Sequence, residues 1–221
     1  MTDKYPVEKI NKVRQLRDKA HYDTTTVHGI LDAAWLAHVA FVEDGNAVVV
    51  PMMYGREDET LYLHGARKAR VIRMLEKNQR ISLNVTLLDA LVIARSAFNS
   101  SANYRSVTVF GAPRLLAERE AKLHAMRVMS EHAMPGRWDE LRAPLEREIK
   151  MTGVIALDIE HASAKISDKP VPEDEEDDYA IPIWAGLLPL KSSYQQLQDA
   201  DRLIDGVAPS DAIKALQGKT L

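Results

Sequence analysis

A series of short apolar runs separated by turn residues constrains the fold of this chain more than any other feature. Each run is rich in Val, Ile, Leu and Thr and is bounded by polar or turn-forming residues, which is the pattern of β-strands. The predicted strands are Leu36 to Val42, Ala47 to Tyr54, Thr60 to His64, Ile81 to Leu88, Leu91 to Arg95 and Tyr104 to Phe110. Between the first two runs, Asp44-Gly45-Asn46 predicts a tight hairpin. The series therefore predicts a small antiparallel barrel.

Helical patterns flank these strands. Apolar residues recur every three positions from Val7 to Lys19, a second helix is predicted over Thr26 to Ala34, and a third over Arg67 to Asn78. Further helices are predicted over Glu118 to His132 and Glu140 to Lys150, and further strands over Met151 to Ile159 and Ala162 to Ile166. We predict a single domain over residues 1–221, with N-terminal helices in 1–34 and a helical C-terminal tail in 191–221.

Residues 170–190 have a different composition from the rest of the chain. Pro170 and Pro172 precede six consecutive acids, Glu173 to Asp178, and a segment containing Pro and Trp follows from Ile181 to Gly186. We predict an acidic loop followed by a tail segment that docks on the domain.

Composition excludes several classes of function. The chain has 29 Lys and Arg against 32 Asp and Glu, a net charge of −3, so we expect no nucleic-acid partner. No apolar run approaches the roughly 18 residues of a membrane-spanning helix, and the N-terminus lacks the apolar core of a secretory signal. We therefore expect no membrane insertion and a cytoplasmic location. The absence of cysteine excludes disulfides and thiolate sites, and the histidines show no metal-binding spacing, so no metal site is expected.

Four cations gather at the start of the third predicted helix: Arg67, Lys68, Arg70 and Arg73. Cations oppose the positive end of a helix dipole, whereas a bound phosphate would be attracted both to them and to the free amides at the helix start. Gly65, just before them, allows the backbone to approach a ligand. The alternative is a solvated basic face that pairs with the nearby acids Glu57, Asp58 or Glu59.

Three motifs occur in an order that is typical of one family. Ala66-Arg67-Lys68 follows a strand, Arg105-Ser106-Val107-Thr108-Val109-Phe110-Gly111 leads to Arg114-Leu115, and Trp184 precedes Pro189. They resemble, in turn, the Ser-Arg-Lys phosphate motif, an Arg-Gln-Val-x-Val-x-Gly strand and the tail Trp of split-barrel flavoproteins of the pyridoxamine phosphate oxidase type. Further pieces, such as His38-Val39-Ala40-Phe41 and Leu61-Tyr62-Leu63-His64-Gly65, are similar to the branch that includes nitroimidazole-resistance proteins.

The resemblance implies a mainly β, α+β fold: a six-stranded antiparallel split β-barrel of Greek-key topology with peripheral helices. It also implies an FMN cofactor, a homodimer with FMN at the interface, and a flavin-reductase-like oxidoreductase acting on a small molecule. NAD(P)H is the candidate electron donor, and a non-enzymatic flavin- or haem-binding carrier or sensor is the alternative. Leu187-Leu188 stands where pyridoxamine phosphate oxidases have Arg-Leu, which argues against vitamin B6 as substrate.

The resemblance assigns candidate site residues as well. Arg67 and Lys68 would pair with the phosphate, and Arg70 would add a second charge. His64 and Tyr104 are the catalytic candidates, because a neutral imidazole can donate to a flavin or a substrate oxygen. The other cofactor-binding candidates are Val50, Pro51, Met52, Met53, Leu63, Ser106 and Trp184, the last arriving from the partner subunit. Core packing of the methionines, a strand-end His64, an interface Tyr104 and a tail-anchoring Trp184 remain the alternatives.

Overall fold

The computed structural model describes residues 3–170, 172 and 174–220, and over these residues an antiparallel sheet of ten strands carries peripheral helices. The strands are β1 (Ala20–His21), β2 (Leu36–Glu43), β3 (Asn46–Glu57), β4 (Thr60–Ala66), β5 (Ile81–Ile93), β6 (Ser101–Gly111), β7 (Pro113–Leu115), β8 (Thr152–Asp158), β9 (His161–Ser167) and β10 (Gly186–Pro189). The helices are α1 (Thr24–Asp32), α2 (Arg70–Lys77), α3 (Arg119–Ala133), α4 (Glu146–Met151) and α5 (Asp211–Lys214).

The strand order is β1-β9-β6-β5-β2-β3-β4-β8-β7, with β10 added to β5. Strand β3 joins the two halves of the barrel, because its residues 46–53 pair with β2 and its residues 54–57 pair with β4. Strands β1 and β7 end the order without pairing with each other, so the sheet is not closed. The predicted split barrel is confirmed, with more strands than six because short edge strands and the two strands after α4 extend the sheet.

The period of two along each strand places the core on one side of the sheet. In β4, Leu61 and Leu63 are fully buried, while Tyr62 and His64 point to the other side. Tyr54 on β3 is fully buried as well, and its hydroxyl donates to the backbone oxygen of Leu31 in α1. This hydrogen bond ties α1 to the barrel.

Helix α3 covers the other side of the sheet at β3, β4 and β8. Its residues Ala125 and Met129 form a second core cluster with Val154 and Ala156 of β8. The helix comes so close to β3 that a Cβ atom on Gly55 would lie 2.6 Å from the Met129 Cα. Glycine is therefore required at this position by packing.

The predicted hairpin is confirmed, since Asp44 and Gly45 adopt positive φ angles of 50° and 77° between β2 and β3. The predicted interruption between Leu88 and Leu91 is instead a bulge within one long strand, β5. Asp89, at the bulge, accepts hydrogen bonds from the Arg105 guanidinium on β6, which gives this polar residue a partner within the sheet.

The predicted helix over Val7 to Lys19 is wrong, because only the 3-10 turn Arg17–Lys19 forms there. The reason is Asn11, a buried residue whose amide donates to the backbone oxygens of Pro6 and Ala162 at 2.9 Å. These bonds hold the segment against β9 in an irregular conformation, which overrides its helical spacing.

Two other helical predictions are only partly met. The predicted helix Glu140 to Lys150 is reduced to α4, which begins at Glu146 after Pro144 and is followed at once by β8. In the predicted helical tail, the described residues 191–220 contain one short helix, α5, because Gly206 and Gly218 turn with positive φ angles and Pro209 intervenes. Of the predicted acidic loop, Glu173 lies outside the described residues, and residues 176–180 form a 3-10 helix.

Candidate functional site

The basic cluster lies in the turn between β4 and α2. The Arg67 amide donates to the Met151 oxygen at 2.7 Å, and the Ala69 amide donates to the Ala66 oxygen at 2.8 Å, which fixes the turn on both sides. Helix α2 begins at Arg70, three residues later than predicted, and its N-cap residue Ala69 has no side chain that can accept a hydrogen bond. The first amides of α2 are therefore available to an anion.

Two of the four cations in the cluster have a carboxylate partner. The Arg67 guanidinium lies 3.2 Å from the Glu76 carboxylate, and Arg70 pairs with Glu43. The hydrogen bond from Arg70 is the main reason that the pKa of Glu43 is lowered. Lys68 and Arg73 have no hydrogen bond or ion pair to the described residues through their side chains. The cluster thus keeps two positive charges in excess, beside an uncapped helix start.

His64 lies at the edge of this cluster, on the exposed side of β4. The register that pairs Tyr54 with Leu63 places Met53 of β3 next to it. Surrounding protein atoms remove water from the ring and lower the pKa of His64, so the imidazole is neutral at physiological pH. Its ring forms no hydrogen bond with the described residues, which leaves both nitrogens open to a ligand.

The predicted cofactor-binding strand residues divide between the two sides of the sheet. Pro51 and Met53 are exposed on the same side as His64, and Met53 has 40% of its surface accessible. Val50, Met52 and Leu63 face the core, so only their backbone atoms are available to a ligand at this surface.

The remaining predicted residues lie elsewhere in the same protomer. Tyr104 and Ser106 are on β6, four strands from β4 in the order β6-β5-β2-β3-β4. The Ser106 hydroxyl has a long hydrogen bond of 3.5 Å to the Lys165 oxygen. Trp184 precedes β10, is 66% exposed and folds against Gly186 of its own chain. One protomer therefore brings together His64, Met53 and the basic turn, but not these three residues.

His38 is a further candidate site residue, which the sequence motifs did not single out. This histidine lies on the exposed side of β2, opposite Pro51 of β3 and Asn84 of β5, and its ring has no hydrogen bond or ion pair with the described residues. By contrast, His28, His124, His132 and His161 have partners. The signal was its position between Ala37 and Val39, both fully buried, in an alternating strand.

The exposed side of the sheet is unusually apolar for a water-facing surface. Large apolar side chains on β2, β3, β5 and β10 have between 40% and 59% of their surface accessible, namely Leu36, Val42, Val49, Met53, Leu88, Leu91 and Leu188. We call these residues the apolar face. Such contiguous surfaces are typical of interaction sites.

Within residues 3–170, 172 and 174–220, no helix is long and apolar enough to cross a membrane. No group of three or more His, Asp or Glu side chains in the same part of the chain is arranged to hold a metal ion.

Known proteins share this architecture. A family model described as pyridoxamine 5'-phosphate oxidase matches residues 23–166. The flavocytochrome Anf3 of Azotobacter vinelandii is 36% identical over 96% of this chain and 98% of its own, with a TM-score of 0.89. The FAD and haem binding protein of Mycobacterium smegmatis is 33% identical over 90% of this chain and 98% of its own, with a TM-score of 0.86.

A more distant likeness concerns the fold alone. A candidate 5-nitroimidazole antibiotic resistance protein of Bacteroides thetaiotaomicron is 22% identical, covers 66% of this chain and 86% of its own, and has a TM-score of 0.58. A comparison with curated protein sequences gave no match.

Proposed function

Because the chain belongs to the pyridoxamine 5'-phosphate oxidase family, we propose that it is a flavin-dependent oxidoreductase that acts on a small molecule. The observation that carries this proposal is the turn between β4 and α2, where an uncapped helix start and excess positive charge meet the neutral His64. A flavin supplies the redox chemistry when bound, and the protein supplies binding, orientation and electrostatics.

Arg67 and Lys68 would hold the flavin phosphate, with Arg70 as a second charge. The Lys68 ammonium group has no carboxylate partner among the described residues and is available to the phosphate. Arg67 would share its guanidinium group between the phosphate and Glu76, and Arg70 would share its own between the phosphate and Glu43. Arginine suits this role because its planar guanidinium can bind two phosphate oxygens. The free amides at the start of α2 would add donors of fixed direction.

The flavin ring would lie along β3, against Pro51, Met53 and the backbone of residues 50–53. The Met53 side chain offers a polarisable contact for an aromatic ring, and His64 can donate to a ring oxygen or to a substrate. We propose FMN, since the turn supplies partners for a phosphate group. FAD is the second candidate, because a 33% identical relative is described as an FAD and haem binding protein.

Haem binding is the second function that specific observations favour. The two relatives above 30% identity are described as a flavocytochrome and as an FAD and haem binding protein. Two imidazoles lie on the exposed side of the sheet: that of His64, which is neutral at physiological pH, and that of His38, which has no partner among the described residues. An imidazole is a common axial ligand of haem iron. A protein that binds haem or flavin without turnover would be a carrier or sensor.

We further propose that the protein is a homodimer with its flavin at the subunit interface. The apolar face would be covered by a second subunit, and Tyr104, Ser106 and Trp184 of that subunit would complete the site. NADPH or NADH is the proposed electron donor and the cytoplasm the proposed location.

The absorption spectrum of the purified protein tests these proposals. After incubation with FMN, FAD or haemin and removal of free ligand, we expect retained flavin bands, and a Soret band if haem binds as well. Protein that stays colourless with all three ligands would contradict the proposal. Reduction of the bound flavin by NADH or NADPH would identify an enzyme, whereas a retained but unreduced flavin would indicate a carrier or sensor.

A further inference from the structure

A buried lysine lies behind the turn between β4 and α2, which we call the phosphate turn because it is the proposed phosphate site. Lys122 is in the first half of α3, among apolar residues, and only 8% of its surface is accessible. Its ammonium group donates to the Thr152 oxygen at 2.8 Å and to the Ile149 oxygen at 3.2 Å. Burial of a lysine among apolar residues costs free energy, and its two hydrogen bonds to backbone oxygens, which an apolar side chain could not form, offset that cost.

Lys122 stabilises the junction where α4 ends and β8 begins, residues 149–153, which we call the α4–β8 corner. Carbonyl oxygens at a helix C-terminus lack partners within the helix and carry partial negative charge, which suits a cation. Thr152 is also bonded to the preceding turn of α4, because its hydroxyl donates to the Glu148 oxygen at 2.8 Å and its backbone N–H donates to the same oxygen. The lysine and these bonds together give the corner one defined conformation.

The same corner holds the phosphate turn from the other side. Met151, which lies between the two residues that Lys122 binds, accepts the hydrogen bond from the Arg67 amide. The pairs Ala66 with Thr152 and Gly65 with Gly153 continue this contact along β4 and β8. Space is tight here, because a Cβ atom on Gly153 would lie 2.6 Å from Ile72 Cγ2 and 3.3 Å from the Arg67 Cα. A shift of the corner would therefore move the backbone of Arg67.

We propose that Lys122 is a positioning residue for the phosphate of the bound flavin. It does not reach the ligand itself, but it fixes the α4–β8 corner, and the corner fixes Arg67 and the first amides of α2. This inference rests on the proposed phosphate site and adds a residue from a distant helix to it. If Arg67 and the first amides of α2 are misplaced, the protein loses affinity for the phosphate group and keeps its contacts with the flavin ring.

The test compares FMN with riboflavin, which has the same ring but no phosphate, by quenching of flavin fluorescence. In Lys122→Met, we expect the affinity for FMN to fall about tenfold and that for riboflavin to change less than about twofold. Lys12→Met is the matched control, because this lysine is exposed in the N-terminal segment, outside the α4–β8 corner, and has no side-chain partner among the described residues. The control should bind both ligands as the wild-type protein does.

Other outcomes overturn the inference in distinguishable ways. Equal losses for FMN and riboflavin, or no loss for either, would show that Lys122 has only a structural role or none. A wild-type protein that binds riboflavin as tightly as FMN would overturn the proposed phosphate site itself. If Lys122→Met does not fold, Gly153→Ala disturbs the same corner from the α2 side, and it must show the same selective loss of FMN for the inference to stand.

Discussion

His64 and the basic turn show how single residues acquire chemistry from their surroundings. A histidine in a strand is ordinary, but this one has a lowered pKa, a ring without a partner among the described residues, and Met53 as its neighbour on β3. Arg67 is likewise an ordinary surface cation until its amide is fixed by the Met151 oxygen beside an uncapped helix. The properties that suit these residues to a cofactor come from geometry more than from residue type.

The charge of the turn leads to the first prediction. Loss of both proposed phosphate contacts in Arg67→Ala with Lys68→Ala should lower FMN affinity about 100-fold or more, because each charged hydrogen bond contributes about 1.5–3 kcal/mol. Isothermal titration with FMN measures the effect. Lys9→Ala with Lys12→Ala removes the same charge from exposed positions of the N-terminal segment and should leave the affinity unchanged. Unchanged affinity in the Arg67 and Lys68 variant would refute the phosphate assignment.

The lowered pKa of His64 leads to a prediction about pH. Between that pKa and 6.5, the ordinary value, the unfolded chain binds more protons at this position than the folded chain. The free energy of unfolding therefore rises with pH through this window and is highest, as far as this group is concerned, above 6.5. Urea unfolding at about pH 5.5 and about pH 7.5 should show a larger loss of stability on acidification in the wild-type protein than in His64→Gln. An equal loss in both proteins would contradict the prediction.

At the scale of elements, close packing of helices on the sheet decides where the candidate site can form. Helix α3 sits on β3 at Gly55 and reaches the α4–β8 corner through Lys122. Helix α2 contacts the same corner, because Ile72 packs against Gly153. The turn between β4 and α2 is therefore held by α2, by α3 through the α4–β8 corner, and by the pairing of β4 with β8.

The contact at Gly55 can be tested by its effect on stability. In Gly55→Ala the new methyl group would meet the backbone of α3, and we expect a loss of about 1–3 kcal/mol in the free energy of unfolding. Gly29→Ala is the control, because nothing lies within 4 Å of a Cβ atom there and Gly29 is within α1. Alanine in a helix should instead stabilise the protein by about 0.5–1 kcal/mol. Urea unfolding that ranks the two variants in the opposite order would be inconsistent with this packing.

At the scale of the whole molecule, the apolar face and the scattered site residues have one common explanation in the proposed dimer. A single protomer exposes apolar side chains on four strands and leaves Tyr104, Ser106 and Trp184 apart from the basic turn. A two-fold dimer would bury these apolar side chains. It would also bring Tyr104, Ser106 and Trp184 of one subunit to the basic turn of the other, since an isologous interface brings each subunit's residues to the other's site.

Light scattering tests the dimer directly. The wild-type protein should have twice the mass of one chain, and Val49→Lys, which places a charge on the apolar face, should shift the mass towards that of a monomer. Val7→Lys alters a valine of similar exposure in the N-terminal segment and should remain dimeric. A monomeric wild-type protein at micromolar concentration would refute the proposal.

Features that depend on neighbouring residues could be predicted from the amino-acid sequence. Runs of apolar residues located the seven longer strands, β2 to β6, β8 and β9, but not the short strands β1, β7 and β10. Gly45 identified the hairpin, and the motif at Arg67 and Lys68 pointed to the turn and, through the family resemblance, to the split barrel. These features need only local geometry and the period of two, so they are readable along the chain.

Features that depend on partners far away in the sequence became visible only in the folded protein. The segment from Val7 to Lys19 has helical spacing, yet Asn11 binds an oxygen 151 residues away and holds it irregular. Lys122 carries a charge that is typical of exposed positions, yet it lies on the buried face of α3 with Ala125 and Met129 and is held against the α4–β8 corner. His38 and His64 could be separated from the four histidines that have hydrogen-bond or ion-pair partners only once carboxylates and carbonyl groups were in place around them. Long-range hydrogen bonds and burial outweigh the small free-energy differences of local propensity, and nothing in the adjacent residues signals them.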